Sequence, residues 1–510
     1  MLSKVYSGTL FGLDAYGVEV EVNLANGLPA FIIVGLPDTA IQESKERVRA
    51  AITNSEFEFP LRRLTVNLAP ANVKKEGPSL DLSIAVGILA ATGQLKSEDM
   101  DQYWLVGELS LTGEVRKVSG ALSLAIAARK AGKRGVILPK ENCREASIVE
   151  GIDIIPVSNL LEVSEFLTGK IEIERIETAR GSLLGKESKF NVDFLDIKGQ
   201  QHAKRALEIA AAGSHNSLMV GPPGSGKTML AKRIPTILPE MTMDEAVEVT
   251  RVYSVAGMLP ADKTIVAARP FRTPHHTISN AGLAGGGHHP RPGEISLSHR
   301  GVLFLDEFTE FSKSVLQVLR QPLEDKEVVI SRATSTLTYP ASFMLIGAMN
   351  PCPCGYLGDR SKECLCPTHK IQNYRNRISG PLLDRVDIQI EVPRLNTEEI
   401  MGGKKSECSK AIRKRVQAAR TRQNLRFKDS EITCNAEMNT RDIKKYCSVD
   451  KDSLEFLENA IEKLGFSARA YDRILKISRT IADIDSSENI SLGHLMEAVQ
   501  YRSLDRNILN

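Results

Sequence analysis

Gly221-Pro-Pro-Gly-Ser-Gly-Lys227-Thr228 is the most informative segment of this 510-residue chain. It directly follows a short apolar run, Ser217–Val220, and leads into a helix-forming segment. The spacing G-x-x-x-x-G-K-[ST] is that of a phosphate-binding loop, whose glycines let the backbone aim N–H groups at nucleotide phosphates. The lysine supplies a positive charge and the threonine a hydroxyl for Mg²⁺, so the pattern predicts an ATP site. The residues assigned to ATP are Gly221, Pro222, Pro223, Gly224, Ser225, Gly226, Lys227 and Thr228.

A pair of acidic residues, Asp306 and Glu307, closes a second apolar run, Gly301–Leu305. Mg²⁺ prefers octahedral oxygen ligands and keeps several waters, so one carboxylate beside Thr228 and the phosphates is enough to hold it. We assign Asp306 to that role, which leaves Glu307 as the general base that polarises the attacking water. An exposed Asp-Glu pair is common by itself, but its position downstream of a phosphate loop favours the catalytic interpretation.

The composition is that of a globular protein with several domains. Hydrophobic residues make up 42% and charged residues 25% of the sequence, and 510 residues exceed what one core can organise. The first residues contain no apolar core of signal-peptide length, and the longest uncharged apolar segment, near residues 82–91, is too short to span a bilayer. We therefore expect a cytoplasmic protein without a membrane partner. In that reducing compartment the eight cysteines are not expected to form disulfides.

The pattern of apolar residues divides the chain into four parts. Residues 1–170 mix alternating, strand-like runs with helical stretches and are predicted to form one α/β domain. Residues 171–190 are charged, contain two glycines and are interpreted as a linker. Residues 191–395 carry short, fully apolar strands separated by helices, which predicts a parallel sheet covered on both faces. Residues 396–510 are helical in pattern and are predicted to form an α-helical lid.

Three further residues resemble elements of the AAA+ ATPase superfamily. Asn350 closes an apolar run and matches the first sensor. Arg385, in the L-L-D-R-V-D stretch 382–387, is similar to the arginine finger of the clade that contains replicative helicases and magnesium-chelatase motors, and Arg469 resembles the second sensor. The resemblance implies that Asn350 orients the lytic water and that both arginines grip phosphate oxygens with their charged forks. Taken alone, each arginine could equally form a surface salt bridge.

The same resemblance implies a ring of identical chains. An arginine finger contributes roughly 10³ to 10⁵ in rate, so a chain whose finger must come from a neighbour is nearly inert alone. In this superfamily the finger usually acts across a subunit interface. We therefore expect a closed homo-hexamer.

Four segments narrow the resemblance further. They are Pro270–His276, Gly285–Glu294, Gln321–Arg332 and Asn350–Gly355. Together they are similar to the magnesium-chelatase-like AAA+ proteins of the ComM/YifB type, a likeness that covers essentially the whole chain. Members of that family are associated with DNA branch migration during recombination and natural transformation, and they work as hexameric helicases. The resemblance thus implies an ATP-dependent motor on branched or single-stranded DNA, with ATP and Mg²⁺ as cofactors.

Two other functions use the same ATPase core. A chelatase-type motor would remodel a protein partner, although such motor subunits as a rule begin near the phosphate loop. An ATP-dependent protease would use the first domain, which resembles the proteolytic domain of Lon: Lys75–Ser79 falls on its nucleophile motif and Gly107–Val115 on the strand pair before its catalytic lysine. Leu122 stands where that lysine is expected and cannot accept a proton from Ser79, so we expect no peptidase activity and interpret the domain as a scaffold.

A basic run at residues 404–428 contains ten Lys/Arg and one acid. A helix with this charge could follow a phosphate backbone, which points to DNA independently of the resemblance. The alternative is a solvated face of the lid, because aromatic residues are nearly absent from the run and no base-stacking platform is visible. Five of the nine histidines lie between residues 275 and 299, in a Gly-rich segment that could touch DNA in a ring pore or pack locally beside the nucleotide.

The cysteine-rich insert 352–366 has a C-x-C, nine-residue, C-x-C pattern. Four thiolates can close tetrahedrally on Zn²⁺, and here they come from Cys352, Cys354, Cys364 and Cys366. The spacing is tighter than the usual C-x₂-C, so four reduced thiols in a loop are an equal alternative. His369 is a substitute ligand. Since the sensor lies two residues upstream of the first cysteine, a metal here would stiffen its neighbourhood without joining the chemistry.

Overall fold

The computed structural model describes residues 1–176, 190–260, 263–287, 290–331, 336–359, 362–396, 399, 406–430, 432–464 and 466–502. Within these ranges the chain is an α/β protein, as predicted, and it divides into two compact units. Unit 1 comprises Met1–Glu187, Thr242–Ala267 and Ser331–Tyr339, and unit 2 comprises Ser188–Met241, Ala268–Ile330 and Pro340–Asn510. Most of the predicted linker, residues 177–189, lies outside the described residues.

The strands in chain order are β1 (Leu2–Phe11), β2 (Asp14–Ala25), β3 (Ala30–Val34), β4 (Arg63–Ala69), β5 (Tyr103–Leu105), β6 (Glu108–Leu109), β7 (Val115–Arg116), β8 (Gly135–Pro139), β9 (Asp153–Val157), β10 (Ser217–Val220), β11 (Phe271–Arg272), β12 (Gly285–Gly286), β13 (Arg291–Pro292), β14 (Val302–Leu305), β15 (Glu327–Ser331), β16 (Thr336–Pro340), β17 (Met344–Met349) and β18 (Ile388–Glu391).

The helices in chain order are α1 (Thr39–Asn54), α2 (Asp81–Thr92), α3 (Ala121–Lys130), α4 (Cys143–Ala146), α5 (Leu160–Leu167), α6 (Gln201–Gly213), α7 (Lys227–Arg233), α8 (Met243–Val255), α9 (Asn280–Ala284), α10 (Glu294–Leu297), α11 (Lys313–Val318), α12 (Arg320–Asp325), α13 (Thr368–Arg375), α14 (Gly380–Leu383), α15 (Ser409–Arg426), α16 (Thr440–Tyr446), α17 (Lys451–Leu464), α18 (Ala468–Ile484) and α19 (Leu492–Gln500). None of the helices in the described ranges has both the length and the apolar character needed to cross a membrane.

Unit 1 is built on a seven-stranded sheet in the order β3-β4-β2-β1-β5-β8-β9. The central strands β1, β2 and β4 pair antiparallel, whereas β3-β4, β1-β5, β5-β8 and β8-β9 are parallel. Val18, Val20 and Val22 of β2 are buried, because side chains of a strand alternate between its two faces. Helix α2 is buried along nearly its whole length and packs on β1 and β2, which explains why its sequence is apolar on every side.

Two segments that follow the phosphate loop in the sequence belong to unit 1. Helix α8 packs on α3, the N–H of Gly120 donates to Ser254 O over 3.1 Å, and Arg251 forms an ion pair with Asp14 at an N–O distance of 3.0 Å. The sequence pattern grouped these segments with the ATPase core, since apolar periodicity identifies a helix but carries no information about which sheet the helix packs on.

Unit 2 contains a five-stranded parallel sheet in the order β11-β14-β17-β10-β18. Strands β10, β14 and β17 are buried at every residue, as expected for a parallel sheet covered on both faces. Helices α15 to α19 account for the helical pattern at the end of the chain, and their apolar residues share one core with β10 and β17. Because β10, β14 and β17 are parallel neighbours, the residues that follow them meet at one edge of the sheet.

Candidate functional site

The loop between β10 and α7 has the backbone of a phosphate cradle. Gly224 and Gly226 adopt φ angles of 76° and 93°, in the left-handed region that favours glycine. A Cβ on Gly221 would lie 2.1 Å from Val392 O, so the close approach of these two backbones requires glycine. The hydroxyl of Ser225 is buried in this loop and has no hydrogen-bond partner among the described residues. The loop therefore presents polar groups that a phosphate could engage.

Lys227 is a buried cation surrounded by neutral acceptors. Its Nζ donates to Gly221 O at 2.7 Å, to Pro222 O at 2.9 Å and to Asn350 Oδ1 at 3.2 Å. Burial lowers the pKa of Lys227 to about 8, although the negative charge of Asp306 acts in the opposite direction. Phosphate oxygens would make stronger, charge-assisted hydrogen bonds to this ammonium group than these neutral oxygens do. The environment of Lys227 thus fits a triphosphate.

Thr228 and Asp306 face each other across the start of α7. Thr228 Oγ1 donates to Asp306 Oδ2 at 2.7 Å. Asp306 directly follows β14 and Thr228 is the second residue of α7, so two different elements fix the pair. A hydroxyl and a carboxylate are hard oxygen ligands of the kind that Mg²⁺ prefers. Bound there, Mg²⁺ would neutralise negative charge on the nucleotide phosphates.

Glu307 lies at the same edge with 62% of its side chain exposed. Its backbone adopts φ 51°, a left-handed conformation that is uncommon for a residue other than glycine and is found at functional sites. The Glu307 N–H donates to Asp306 Oδ1 at 3.0 Å, and Glu307 Oε2 lies 3.4 Å from His276 Nδ1. The carboxylate is therefore accessible to water and lies beside His276. The sequence leaves packing beside the nucleotide open for the histidine-rich segment, but it does not identify His276 as the neighbour of Glu307.

Asn350 directly follows β17, between the two strands that carry the loop and the acidic pair. Its hydrogen bond from Lys227 joins it to the phosphate loop. The structure thus brings residues 221–228, Asp306, Glu307 and Asn350 to one edge of the sheet. The catalytic and binding roles assigned to them stay predictions.

Arg385 belongs to a second group of site residues. It forms an ion pair with Glu324 and donates through Nη1 to Pro381 O at 2.6 Å. Its burial, with 15% of the side chain exposed, and then the positive charges of Arg320 and Arg469 lower the pKa of Arg385. Several arginines therefore gather around the residue that the sequence assigns as a finger.

Arg469 and Arg473 lie one turn apart on α18 and hold the two aspartates that flank the finger. Arg469 Nη1 lies 3.5 Å from Asp384 Oδ2, and both side chains are largely exposed, at 66% and 41%. Arg473 forms an ion pair with Asp387, which is buried. Burial by itself raises the pKa of Asp387, but Arg473 and then His215 bring it below its usual range. Helix α18 is thereby anchored to the segment that carries the finger.

The described part of the histidine-rich segment packs locally. The rings of His275 and His276 are 4.1 Å apart between centroids, and His276 lies beside the acidic pair. His299 is buried and its Nδ1 accepts a hydrogen bond from the Ser342 N–H at 3.1 Å. These three histidines favour local packing over a pore lining, and His276 is the one that lies beside the acidic pair. His288 and His289 lie outside the described residues.

The arginines of the basic run are largely used within unit 2. Arg415 pairs with Glu208 and Glu407, and Arg426 pairs with Asp483. Arg420 is buried and donates to backbone carbonyls of α6. These contacts favour the alternative in which the arginines stabilise the lid. The exposed cations of α15 and the turn after it are Lys410, Lys414 and Lys428, while residues 404–405 lie outside the described residues.

The Lon-like part of unit 1 lacks the expected base. Ser79 lies in a short 3₁₀ helix, Pro78–Leu80, ahead of α2. Leu122 is fully buried on α3 and has no group that could take a proton. The absence of peptidase activity stays a prediction.

The four cysteines of the insert converge, as the metal-binding alternative requires. Their Sγ atoms all lie within 4.8 Å of one another, and Cys352 is buried while Cys354, Cys364 and Cys366 are half-buried. The Tyr356 backbone N–H lowers the pKa of the Cys354 thiol to about 6. The substitute ligand His369 is not a member of this group among the described residues.

Comparison with known proteins places the chain in one family. The profile described as magnesium chelatase, subunit ChlI, matches residues 193–400, that of subunit ChlI of Mg-chelatase matches residues 20–142, and that of the ChlI carboxyl-terminal region matches residues 406–502. The chain is 46% identical over 509 residues to the competence protein ComM of Haemophilus influenzae, covering 99% of this chain and 98% of that protein.

Two further relatives are informative. The chain is 42% identical over 514 residues to the YifB protein of Escherichia coli, covering 100% of this chain and 98% of YifB. It is 26% identical over 195 residues to the Lon protease of Mycoplasma mobile, covering 36% of this chain and 23% of that protein. The likeness to ComM and YifB is therefore full-length, whereas the likeness to Lon is partial.

Proposed function

The chain belongs to the magnesium-chelatase-like ATPase family that includes ComM and YifB, and on that premise we propose that it is a ring-forming ATP-dependent motor that promotes branch migration of DNA. ATP and Mg²⁺ are its proposed cofactors, and Zn²⁺ is the proposed ion of the cysteine insert. Recombination or natural transformation is the proposed process. Its proposed localisation is cytoplasmic.

One observation carries the ATPase part of this proposal. A buried lysine without an anionic hydrogen-bond partner among the described residues, a hydroxyl–carboxylate pair and an exposed carboxylate lie at one edge of a parallel sheet. These are the groups needed to hold the phosphates, to hold Mg²⁺ and to activate water. An isolated phosphate loop would bind nucleotide, but it would have no base for hydrolysis.

Each residue has a defined task in the proposed hydrolysis. Lys227 exchanges its carbonyl partners for phosphate oxygens and keeps its proton there. Glu307 accepts the proton of the attacking water, and Asn350 orients that water. Arg385 must leave Glu324 to stabilise charge in the site of a neighbouring copy, which makes turnover depend on the ring.

DNA is the proposed partner on two grounds. The first is the family, in which the relative from Haemophilus influenzae is a competence protein. The second is the row of exposed lysines Lys410, Lys414 and Lys428, whose charges could follow a phosphate backbone. Since the arginines of the same run are paired internally, we expect DNA affinity to depend on the lysines and on salt.

A motor that remodels a protein partner is the competing function, favoured by the family profiles named after magnesium chelatase. ATP turnover with and without a synthetic four-way junction separates the two. We expect the junction to stimulate ATP hydrolysis several-fold in the full-length chain. The double variant Lys410→Gln, Lys414→Gln should keep the basal rate of ATP hydrolysis and lose its stimulation by the junction.

Indifference of ATP turnover to both junction and single-stranded DNA would favour the protein-remodelling motor. Degradation of casein would favour a protease and contradict the assignment of unit 1 as a scaffold. Unchanged ATP turnover in Lys227→Ala would contradict the assignment of the phosphate loop as the nucleotide site.

A further inference from the structure

The cysteine cluster, defined as Cys352, Cys354, Cys364 and Cys366, has the dimensions of a site for a single thiophilic ion. Three of its Sγ–Sγ distances are 3.3, 3.6 and 3.6 Å. A tetrahedral ion with metal–sulfur bonds of about 2.3 Å would set these distances near ~3.8 Å. Disulfide sulfurs would be about 2.05 Å apart, and these cysteines are all free. Four sulfur ligands leave no open position, which is typical of structural rather than catalytic Zn²⁺.

The segment that carries the cluster contacts the nucleotide site at its first turn. It begins directly after Asn350, and Cys352 is its first ligand. A Cβ on Gly355 would lie 2.6 Å from Pro223 Cδ and 3.8 Å from Asn350 Cγ, so the turn after Cys354 is packed against the phosphate loop. The position of this turn therefore limits where the phosphate loop can move.

At its far end the same segment contacts the turn that follows the acidic pair. Thr309, two residues after Glu307, donates through Oγ1 to Tyr374 OH at 2.6 Å. Arg377 Nη1 donates to Thr309 O at 3.1 Å. The described part of the segment thus contacts the phosphate loop at one end and the turn after Glu307 at the other.

A return contact closes the segment on itself. Arg375 Nε donates to Pro351 O at 3.4 Å. Between these ends, the two C-x-C pairs approach each other through sulfur atoms, whose hydrogen bonds are weak when they are protonated. An ion bound by all four sulfurs would replace these weak contacts with four strong ones.

We infer that the cysteine cluster holds one Zn²⁺ and that this ion positions the phosphate loop and the acidic pair relative to each other. Binding replaces S–H bonds with S–Zn bonds, releases the thiol protons to solvent and transfers no electrons. The cysteines are positioning residues, since none of them touches a reacting atom. The positioning role rests on the proposed ATPase function, whereas the metal site does not.

The first test is the zinc content of the full-length chain, measured by mass spectrometry after purification without added metal. We expect about one zinc per chain. Cys366→Ser should lower the zinc content at least about tenfold. Cys366→His should keep it, because a Cys₃His set also binds zinc. Cys408→Ser is the matched control, an exposed cysteine of the same unit outside the cluster. A wild-type chain without zinc, a chain that holds iron instead, or unchanged zinc in Cys366→Ser would overturn the metal site.

The second test measures positioning without relying on ATP turnover. Hydrogen exchange of peptides covering residues 221–228 should be faster in Cys366→Ser than in Cys366→His, while the fluorescence of the buried Trp104 in unit 1 stays unchanged. ATP turnover should fall about tenfold or more in the same variant.

Equal hydrogen exchange of residues 221–228 in a zinc-free chain would overturn the positioning role. Zinc-loaded protein without ATP turnover would instead contradict the proposed ATPase, and an active ATPase that never holds zinc would contradict only the inference made here.

Discussion

Glu307 and Lys227 show what single residues contribute to the site. Lys227 is buried and donates to neutral oxygens, so its role depends on desolvation. Glu307 is exposed and has a left-handed backbone, so its proposed role depends on access of its carboxylate to water. The two residues should therefore respond differently to mutation.

Glu307→Gln should leave ATP binding intact and lower the turnover rate by roughly 10² to 10⁴, because the amide cannot accept a proton from water. Nucleotide binding by fluorescence and steady-state phosphate release measure the two effects separately. Glu310→Gln is the matched control, since Glu310 pairs with Arg377 and has no assigned role in the chemistry. Normal turnover in Glu307→Gln would remove this residue from the mechanism.

ATP affinity should fall as the pH rises above about 8. Burial lowers the pKa of Lys227 to about 8 in the nucleotide-free chain, so above that value the lysine must regain a proton to meet the phosphates. Each pH unit then weakens binding by up to about tenfold. The free energy of unfolding changes in the opposite direction. The unfolded lysine keeps its proton up to about pH 10.4, so the cost of burying the charge is relieved and the free energy of unfolding rises as the pH increases from about 8 to about 10.4. Titration with a fluorescent ATP analogue from pH 7 to 9.5 measures the affinity. Lys232→Ala, an exposed lysine of α7, should behave like the wild type, and a flat profile would contradict the account.

Helix α18 carries two arginines whose ion pairs differ in burial. Arg469 and Arg473 lie on the same face, one turn apart, yet Arg469 pairs in solvent and Arg473 pairs with a buried carboxylate. Breaking the Arg469–Asp384 ion pair should cost little free energy, whereas the Arg473–Asp387 ion pair is part of the core. We therefore expect Arg473 to hold helix α18 in place, while Arg469 can leave its carboxylate partner.

Arg473→Ala should destabilise unit 2 by about 3–5 kcal/mol, because it leaves Asp387 buried without its main cation. Arg469→Ala, the matched control, should change the free energy of unfolding by less than about 1 kcal/mol. Urea unfolding followed by circular dichroism measures the effect. The fluorescence transition of Trp104, the single tryptophan, reports unit 1 and should not move. Equal effects of the two substitutions would contradict the distinction.

The sequence predicted the strands and helices better than the contacts between them. Apolar runs and the phosphate-loop spacing located β10, β14 and β17 because burial on both faces leaves a direct mark in the composition. The same pattern could not assign α8 to unit 1, since any apolar face could cover the helix. It also could not identify His276 beside Glu307 or Asp387 beneath Arg473, because these contacts join residues far apart in sequence. For the basic run, charge alone did not distinguish arginines paired within the lid from lysines in solvent.

The whole molecule is proposed to work as a ring, in which each site borrows Arg385 from a neighbour. We expect chains with Lys227→Ala to lose ATP binding or hydrolysis but still to carry the finger. We expect chains with Arg385→Ala to bind ATP but to lack the finger. Mixing the two variants should therefore restore part of the ATP turnover, although each alone is nearly inactive. No recovery at any ratio would contradict a finger that acts across an interface.

Branch migration of a synthetic four-way junction, followed together with ATP turnover, is the decisive measurement for the proposed DNA motor. We expect the full-length chain to convert the junction to duplex products only with ATP and Mg²⁺, and we expect Glu307→Gln to bind ATP without moving the junction. A chain that hydrolyses ATP at its full rate while the junction stays in place would contradict it.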